Sequence, residues 1–464
     1  MNQSSTAVRQ PLIEQPIGNK PTVPKTADVA IVGAGAAGLF ASVWAGRTAA
    51  SGSRVVSFDG ARKLGAKILV AGGGRCNVTH HVVSEHDFAG STPPAIRKVL
   101  RRFPVERVVQ FFAEAGVELK QEETGKLFPL TDSARTVLDA LMQTATAAGT
   151  QLMHPARVTA IETLPESDQA GDTAVDAPAP HRPRFRLLTD AGDCTTRRVI
   201  LCTGGKSLPK SGSDGLGHQL AQALGHTITH PVVPALVPLL LPAGHWIREL
   251  SGLTLPSSVT LSTATGKQLV ATTGSTLCTH LGLSGPAVLD ISRHWLVARQ
   301  ADPAVRLSLN WLPGETAESV DQLLQAAGRG PLAVLRQRLP ERLARQLCEQ
   351  AGAAATGDLP RAARRAVVQA VTATPLPVTG DRGFTVAEAT AGGVPLNEVN
   401  LKTMESRVCP GLFLAGEVLD VDGRIGGFNF QWAWASGFVA GTAAGRGRKV
   451  DHREGTKSTK EQVR

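Results

Sequence analysis

A short apolar run at residues 29–32 breaks into Gly33-Ala34-Gly35-Ala36-Ala37-Gly38, and an Ala-, Leu- and Phe-rich segment follows. The run has the length of a buried strand, and the glycines punctuate it before a helix-like stretch. A second strand-like run at 54–58 ends in Asp59. Strand, glycine turn, helix and strand in this order predict the opening unit of a parallel α/β sheet. Residues 105–112 and 134–141 carry apolar positions at helical spacing, so 93–150 reads mostly as helix. Strands are predicted at 157–161, 185–188 and 199–201. The Asp-, Ala- and Pro-rich stretch 165–183 between them predicts a disordered surface loop.

The pattern changes near residue 208. Short strands are predicted at 259–262, 268–272 and 305–309. Residues 317–370 are rich in Ala, Leu, Gln and Arg and are interrupted at 328–331, Pro340 and Pro360, which predicts three or four short helices. Residues 383–442 return to glycine-rich strand-and-turn chemistry. The expected organisation is a flexible leader (1–26) and a nucleotide-binding domain in two parts (27–207 and 376–445). An insertion (208–375) separates those parts, and a loose charged tail (446–464) follows.

Composition narrows the class. Hydrophobic residues make up 42% of 464, so the chain folds around real cores. Residues 29–46 carry no charge and approach membrane-spanning length, but they contain the glycine turn. The apolar stretch 227–246 is broken by Pro231, Pro234, Pro238 and Pro242. Neither reads as a membrane span, and the N-terminus lacks the layout of a secretory signal, so a cytoplasmic protein is expected. The six cysteines are scattered without a C-x-x-C pair, so no metal site or disulfide framework is expected. Net charge is +10, with basic clusters at Arg97, Lys98, Arg101, Arg102 and Arg107, from 336 to 365, and after 445. These read as solvated faces or as a nucleic-acid surface. Tyrosine is absent, so no phenol is available as an acid.

Five segments carry chemistry. In the first, Gly33 permits a tight turn, Gly35 lets backbone approach a pyrophosphate, and Gly38 lets the helix pack closely. The unpaired N–H groups of the helix start at Ala34, Ala36 and Ala37 face the anion. Asp59 lies about 20 residues on, where an acid accepts from a ribose hydroxyl. The second, Gly72-Gly73-Gly74-Arg75-Cys76-Asn77, combines an entropically costly glycine run with a rigid donor fork and an amide. In the third, a buried strand runs into Thr203-Gly204-Gly205 and presents backbone N–H groups to a nucleotide. Val158, on a neighbouring strand, joins the cofactor-facing set. The fourth, Gly416-Glu417, puts an acid at a strand end, suited to polyol hydroxyls. The fifth, Gly426-Gly427-Phe428-Asn429-Phe430-Gln431, opens an apolar helix whose N-terminus suits an electron-rich group. In a flavoenzyme that group is the N1/C2-carbonyl edge of the ring, with Asn429 and Gln431 beside it.

These segments resemble the BaiN-like flavoprotein family, which includes aminoacetone oxidases and an rRNA dihydrouridine synthase. The likeness extends from Asp28 to Gly441. It rests on the motifs at 72–77, 125–129, 203–207, 279–286, 390–394 and 415–423. It implies FAD in a Rossmann-like domain, with an inserted β-barrel plus helical domain over the flavin. The implied activity is hydride transfer between flavin and a small amine or unsaturated carbonyl compound. The alternatives are reduction of uridine in ribosomal RNA and non-catalytic flavin binding. Phe428 stands where the family usually has tyrosine, which removes a hydroxyl expected near the flavin.

His280 is a candidate substrate-facing residue, with locking of the turn before Gly282 as the rival role. Asn429 is the other catalytic candidate. Cys76 reads as a packing residue or as a redox thiol. The segment 212–217 lacks the spacing of a second dinucleotide turn, so NAD(P)H would dock transiently as electron donor. Oligomeric state is open.

Overall fold

The computed structural model describes residues 20–165, 184–326, 330–355 and 359–446. The expected leader (except residues 20–26), the loop at 166–183 and the tail beyond residue 446 lie outside these residues.

Five parallel strands form the centre of the first sheet: β1 (Thr26–Val32), β2 (Val55–Phe58), β3 (Thr150–Met153), β4 (Cys194–Leu201) and β5 (Leu412–Leu414). Their order is β5-β4-β1-β2-β3. The chain starts at β1, builds outward through β2 and β3, then crosses to the other side. The carboxyl ends of β1 and β4 therefore flank a topological switch point, where such sheets bind ligands. Val29, Ala30, Ile31, Val55, Val56, Val199, Ile200 and Leu201 are buried on both faces, as parallel strands covered by helices must be. Val158–Thr163 and Phe185–Thr189 extend β4 antiparallel, and each outlasts its predicted apolar run by one or two polar residues.

Helix α1 (Ala36–Thr48) packs against both α2 (Ala134–Ala147) and α4 (Phe428–Arg446). The α1–α4 contact is unusually close. Gly437, Gly441 and Gly445, four residues apart, lie against Ala37, Ala41 and Ala45 of α1. A Cβ on each glycine would stand 2.7, 2.4 and 2.6 Å from the carbonyl oxygen opposite. Small residues on one stripe of each helix let the two backbones touch, which fixes where α4 begins.

A second, seven-stranded sheet is antiparallel throughout. It runs through Thr374–Leu376, Arg306–Asn310, Thr254–Ser262, Gln268–Thr279, Gly282–Ser284, Leu239–Leu240 and Gly380–Asp381 in that spatial order. The hairpin of Thr254–Ser262 and Gln268–Thr279 is longer than its apolar segments suggest. Pro256, Ser257 and Ser258 hide the first half of one strand, and a Thr-, Ser- and Gly-rich run hides the end of the other. Helix α3 (Pro286–Ala301) covers this sheet, with four short helices at Ala317–Ala326, Pro331–Leu335, Glu341–Gln350 and Arg361–Thr372. The buried apolar residues form two clusters, one on each sheet. Leu220, Ala221, Leu224 and Ile228 belong to the first cluster, and the second begins at Val233. The change of composition near 208 thus precedes the change of core by some twenty residues.

Candidate functional site

At the end of β1 the chain turns through Gly33 at φ 95°. A Cβ there would stand 2.6 Å from the Cys202 carbonyl oxygen, so the turn presses against the end of β4. At Gly38 a Cβ would stand 1.8 Å from the Gly33 carbonyl oxygen. Gly38 therefore closes the turn on itself, as well as bringing the helix to the sheet. Gly35 differs: its φ is −77°, and a Cβ would meet nothing within 4 Å. Neither strain nor protein packing requires glycine there, and the space beside it is a cavity. Asp59 leaves β2 and accepts from Ala34 N at 2.6 Å and Ala61 N at 2.8 Å. It clamps the glycine turn to the second strand, and each carboxylate oxygen keeps acceptor capacity.

This cavity of about 620 Å³ lies at the carboxyl ends of the parallel strands. It brings together Gly33, Gly35, Ala36, Ala37, Asp59, Gly73, Arg75, Asn77, Val158, Thr203, Gly204, Gly416, Glu417, Gly426, Gly427 and Asn429. Ala34, Gly38, Gly74, Cys76, Gly205, Phe428 and Gln431 stand behind its wall. Cys76 is fully buried, and burial pushes its thiol up to about 12, so it is not a thiolate near neutral pH. Gly205 makes room for Thr390, whose Oγ1 accepts from Lys206 N and Ser207 N at 2.8 and 3.0 Å. Phe428 is buried and stacks on His80, so its ring is turned from the cavity. Gln431 accepts from Thr79 Oγ1 and donates to the Phe103 carbonyl. Asn429 reaches the wall, but both ends of its amide are closed on Gly423, accepting from its N at 2.9 Å and donating to its O at 3.0 Å. His280 is exposed and outside the cavity. Its turn is locked by Thr279 Oγ1, which accepts from Leu281 N and Gly282 N.

Three polar atoms at this wall are buried without a hydrogen-bond partner: Asn77 Oδ1, Thr203 Oγ1 and Ser213 Oγ. Orphaned polar atoms are costly, and a polar ligand would satisfy them. Gly72, Gly73 and Gly74 all have positive φ, and a Cβ on Gly73 would meet nothing within 4 Å. Backbone there is open to a close-lying ligand. Arg75 is held by Glu122 at 2.6 Å and lies 4.0 Å from the centre of the Phe128 ring.

Several wall residues have no local signal in the sequence. Lys67, after β2, donates to Glu417 and to Ser207 Oγ, and Ser207 Oγ donates to Glu417 at 2.7 Å. Gly212, Ser213, Asp214, Leu216 and Gly217, which lack the spacing of a second nucleotide turn, line this same cavity. Arg157 joins them through Asp214 at 2.6 Å. Lys126, Leu236, Val386, Glu388, Arg424 and Ile425 also line the cavity. Their contacts join distant segments, and only Lys126 and Ser207 fall in recognisable motifs.

The loop before α4 is tied to α3. Asp290 accepts from Ile425 N at 2.7 Å, and Arg293 pairs with Asp422 at 3.1 Å. Burial raises both carboxyls, to about 6 each, with Arg424 and Lys126 opposing at Asp290 and Arg293 opposing at Asp422. Among the described residues no three His, Cys, Asp or Glu side chains are grouped to hold a metal ion, and no helix is long and apolar enough to cross a membrane. All six cysteines are free and buried.

Residues 27–443 match the HI0933-like protein Rossmann domain. The chain is 31% identical over 424 residues to the ribosomal RNA dihydrouridine synthase of Haemophilus influenzae, covering 90% of this chain and 98% of that protein. It is 32% identical over 425 residues to the 3-dehydro-bile acid delta(4,6)-reductase of Clostridium scindens, with the same coverage. It is also 32% identical over 419 residues to the ribosomal RNA dihydrouridine synthase of Escherichia coli, covering 89% and 96%. The chain belongs to the HI0933-like Rossmann family of FAD-dependent oxidoreductases.

Proposed function

We propose that this family member uses FAD to reduce a carbon–carbon double bond conjugated to a carbonyl in a small organic substrate. The observation that carries this reading is the shape of the wall. One cavity joins the dinucleotide turn, three orphaned polar atoms, several apolar side chains and one uncommitted carboxyl. The names of two relatives support it, since a dihydrouridine synthase and a delta(4,6)-reductase both saturate a ring double bond.

The residues present fit FAD. Residues 33–37 would take the pyrophosphate in the space beside Gly35, and Asp59 the ribose hydroxyls. Glu417 and Thr203 suit the polyol. Gly73, Asn77 and the backbone of Gly426 and Gly427 suit the ring. When bound, FAD supplies or accepts a hydride. The chain's own part is to orient the cofactor, exclude water and handle the proton. Asn429 acts in this scheme by pinning the 423–427 loop. Residues 208–375, marked off by composition, are proposed as an inserted β-barrel plus helical domain. This segment supplies Leu236 to the cavity, and Val386 follows just beyond it.

NADH or NADPH is the proposed donor, docking transiently. A second reading makes uridine in RNA the substrate. The exposed Arg97, Lys98, Arg101, Arg102 and Arg107 favour it, because Arg97 pairs with Glu85 while neighbouring Asp87 reaches Arg424 at the cavity rim. The decisive experiment is stopped-flow spectroscopy of the FAD-loaded protein after anaerobic reduction. Reoxidation by 2-cyclohexenone but not by cyclohexanone supports the first reading. Reoxidation only by uridine-containing rRNA, with steep salt dependence, supports the second. Bleaching of the oxidised form by a small primary amine would replace both. A flavin that no donor reduces would point to non-catalytic binding.

A further inference from the structure

Two glutamates line the cavity, and the fold treats them differently. Glu417 is committed, with Lys67 on one oxygen and Ser207 on the other. Glu388 lies in the same cavity beside Leu236, Val386 and Ile425. Its backbone N–H donates to the Leu236 carbonyl at 3.3 Å, and its carbonyl lies 3.4 Å from Ser207 Oγ, whose proton goes to Glu417. Its carboxyl makes no hydrogen bond or ion pair among the described residues. The side chain is open to the cavity, yet the surrounding walls raise its carboxyl above the usual range, against the pull of the Lys67 and Lys126 ammonium groups. Two carboxyls in one cavity, one held by two donors and one without a hydrogen-bond partner, form the arrangement that separates a structural anion from an acid.

We propose that Glu388 is the catalytic acid, donating its proton to the substrate as the double bond is reduced; this rests on the conjugated-carbonyl reading above. The reduction adds a hydride equivalent, two electrons and one hydrogen, at the carbon β to the carbonyl. The π pair shifts toward the carbonyl, and the new C–H bond at the α carbon takes its proton from Glu388 Oε as that O–H bond breaks. The substrate gains two electrons and two hydrogens, and the cofactor is oxidised by two electrons. The carboxylate left behind faces Lys67 and Lys126, which stabilise it until water returns the proton.

The test uses the FAD-loaded protein and Glu388→Gln, which keeps the shape and removes the acid. Flavin content and the rate of reduction by dithionite should match the parent. Reoxidation by 2-cyclohexenone should slow about 100-fold, in the range general acids contribute. Glu388→Asp should recover part of the rate. Equal reoxidation by parent and Gln variant would overturn the assignment. Parent-minus-variant infrared spectra across pH provide an arm independent of turnover. They should show a protonated carboxyl persisting above the ordinary glutamate range, near 4.3. Loss of that band in the ordinary range would overturn the assignment even if no enone is turned over. Failure of every enone with the band present would remove the substrate reading alone.

Discussion

Lys67 and Glu417 are separated by 350 residues and meet as an ion pair in the cavity wall, with Ser207 bridging both. The pair ties the helix after β2 to the end of β5. Lys67→Met would leave Glu417 half-compensated in a partly buried site. The apo protein is expected to lose about 1–3 kcal/mol of unfolding free energy, the scale of hydrogen bonds to charged groups. Urea melts of Lys67→Met, Ser207→Ala and the double variant check this. The double variant should lose less than the sum of the singles, because all three groups share one network. Simple additivity would mean that they act apart.

Gly441 permits the approach of α4 to Ala41 of α1. Gly441→Ala places a methyl against backbone, which has no rotamer by which to yield. A destabilisation of about 1–3 kcal/mol is expected, as for other overpacked cores. FAD affinity should fall with it, because the start of α4 lines the cavity. Gly441 lies inside a helix, where alanine is otherwise the better residue, so a loss reports the contact with α1.

Asp290 gives a pH signature. Its folded carboxyl holds a proton up to about pH 6, whereas an unfolded one releases it near 3.9. Between those values the folded state binds more protons, so this group's contribution to stability falls as pH rises through the window. The cost is fully present above 6. Asp290→Asn keeps an acceptor for Ile425 N and removes the titration. Relative to the parent, the variant should gain about 2–3 kcal/mol between pH 4 and pH 7. A difference independent of pH would show that Asp290 does not titrate in this window.

The dinucleotide turn was legible because its constraints are local. Gly33, Gly35 and Asp59 come together at one end of the cavity, where Asp59 clamps backbone at Ala34 and Ala61. Gly38 was found for a partly different reason, since its nearest neighbour is the turn's own Gly33 carbonyl. Asn429 lay in the right loop, but a sequence cannot show that Gly423 takes both ends of its amide. His280 sat in a specific motif whose turn belongs to Thr279. Lys67 and Glu388 carry no local pattern, and the motif holding Ser207 does not show its partners, because these come from other parts of the chain. The Gly437, Gly441 and Gly445 stripe reads in sequence as one more apolar helix, and its meaning appears only opposite Ala37, Ala41 and Ala45.

The central claim is that the cavity at the strand ends holds FAD through the turn at Gly35. Gly35→Val tests it, because a side chain there meets no protein atom within 4 Å and φ is already −77°. The apo variant should melt within about 1 kcal/mol of the parent, the scale of a poorer helix cap. Titration of FAD into both apo proteins is the direct measurement. The account predicts that the parent binds FAD and that the valine variant binds at least about 100-fold more weakly, or about 2.8 kcal/mol at 1.4 per decade. Equal FAD affinity in a folded valine variant would contradict it.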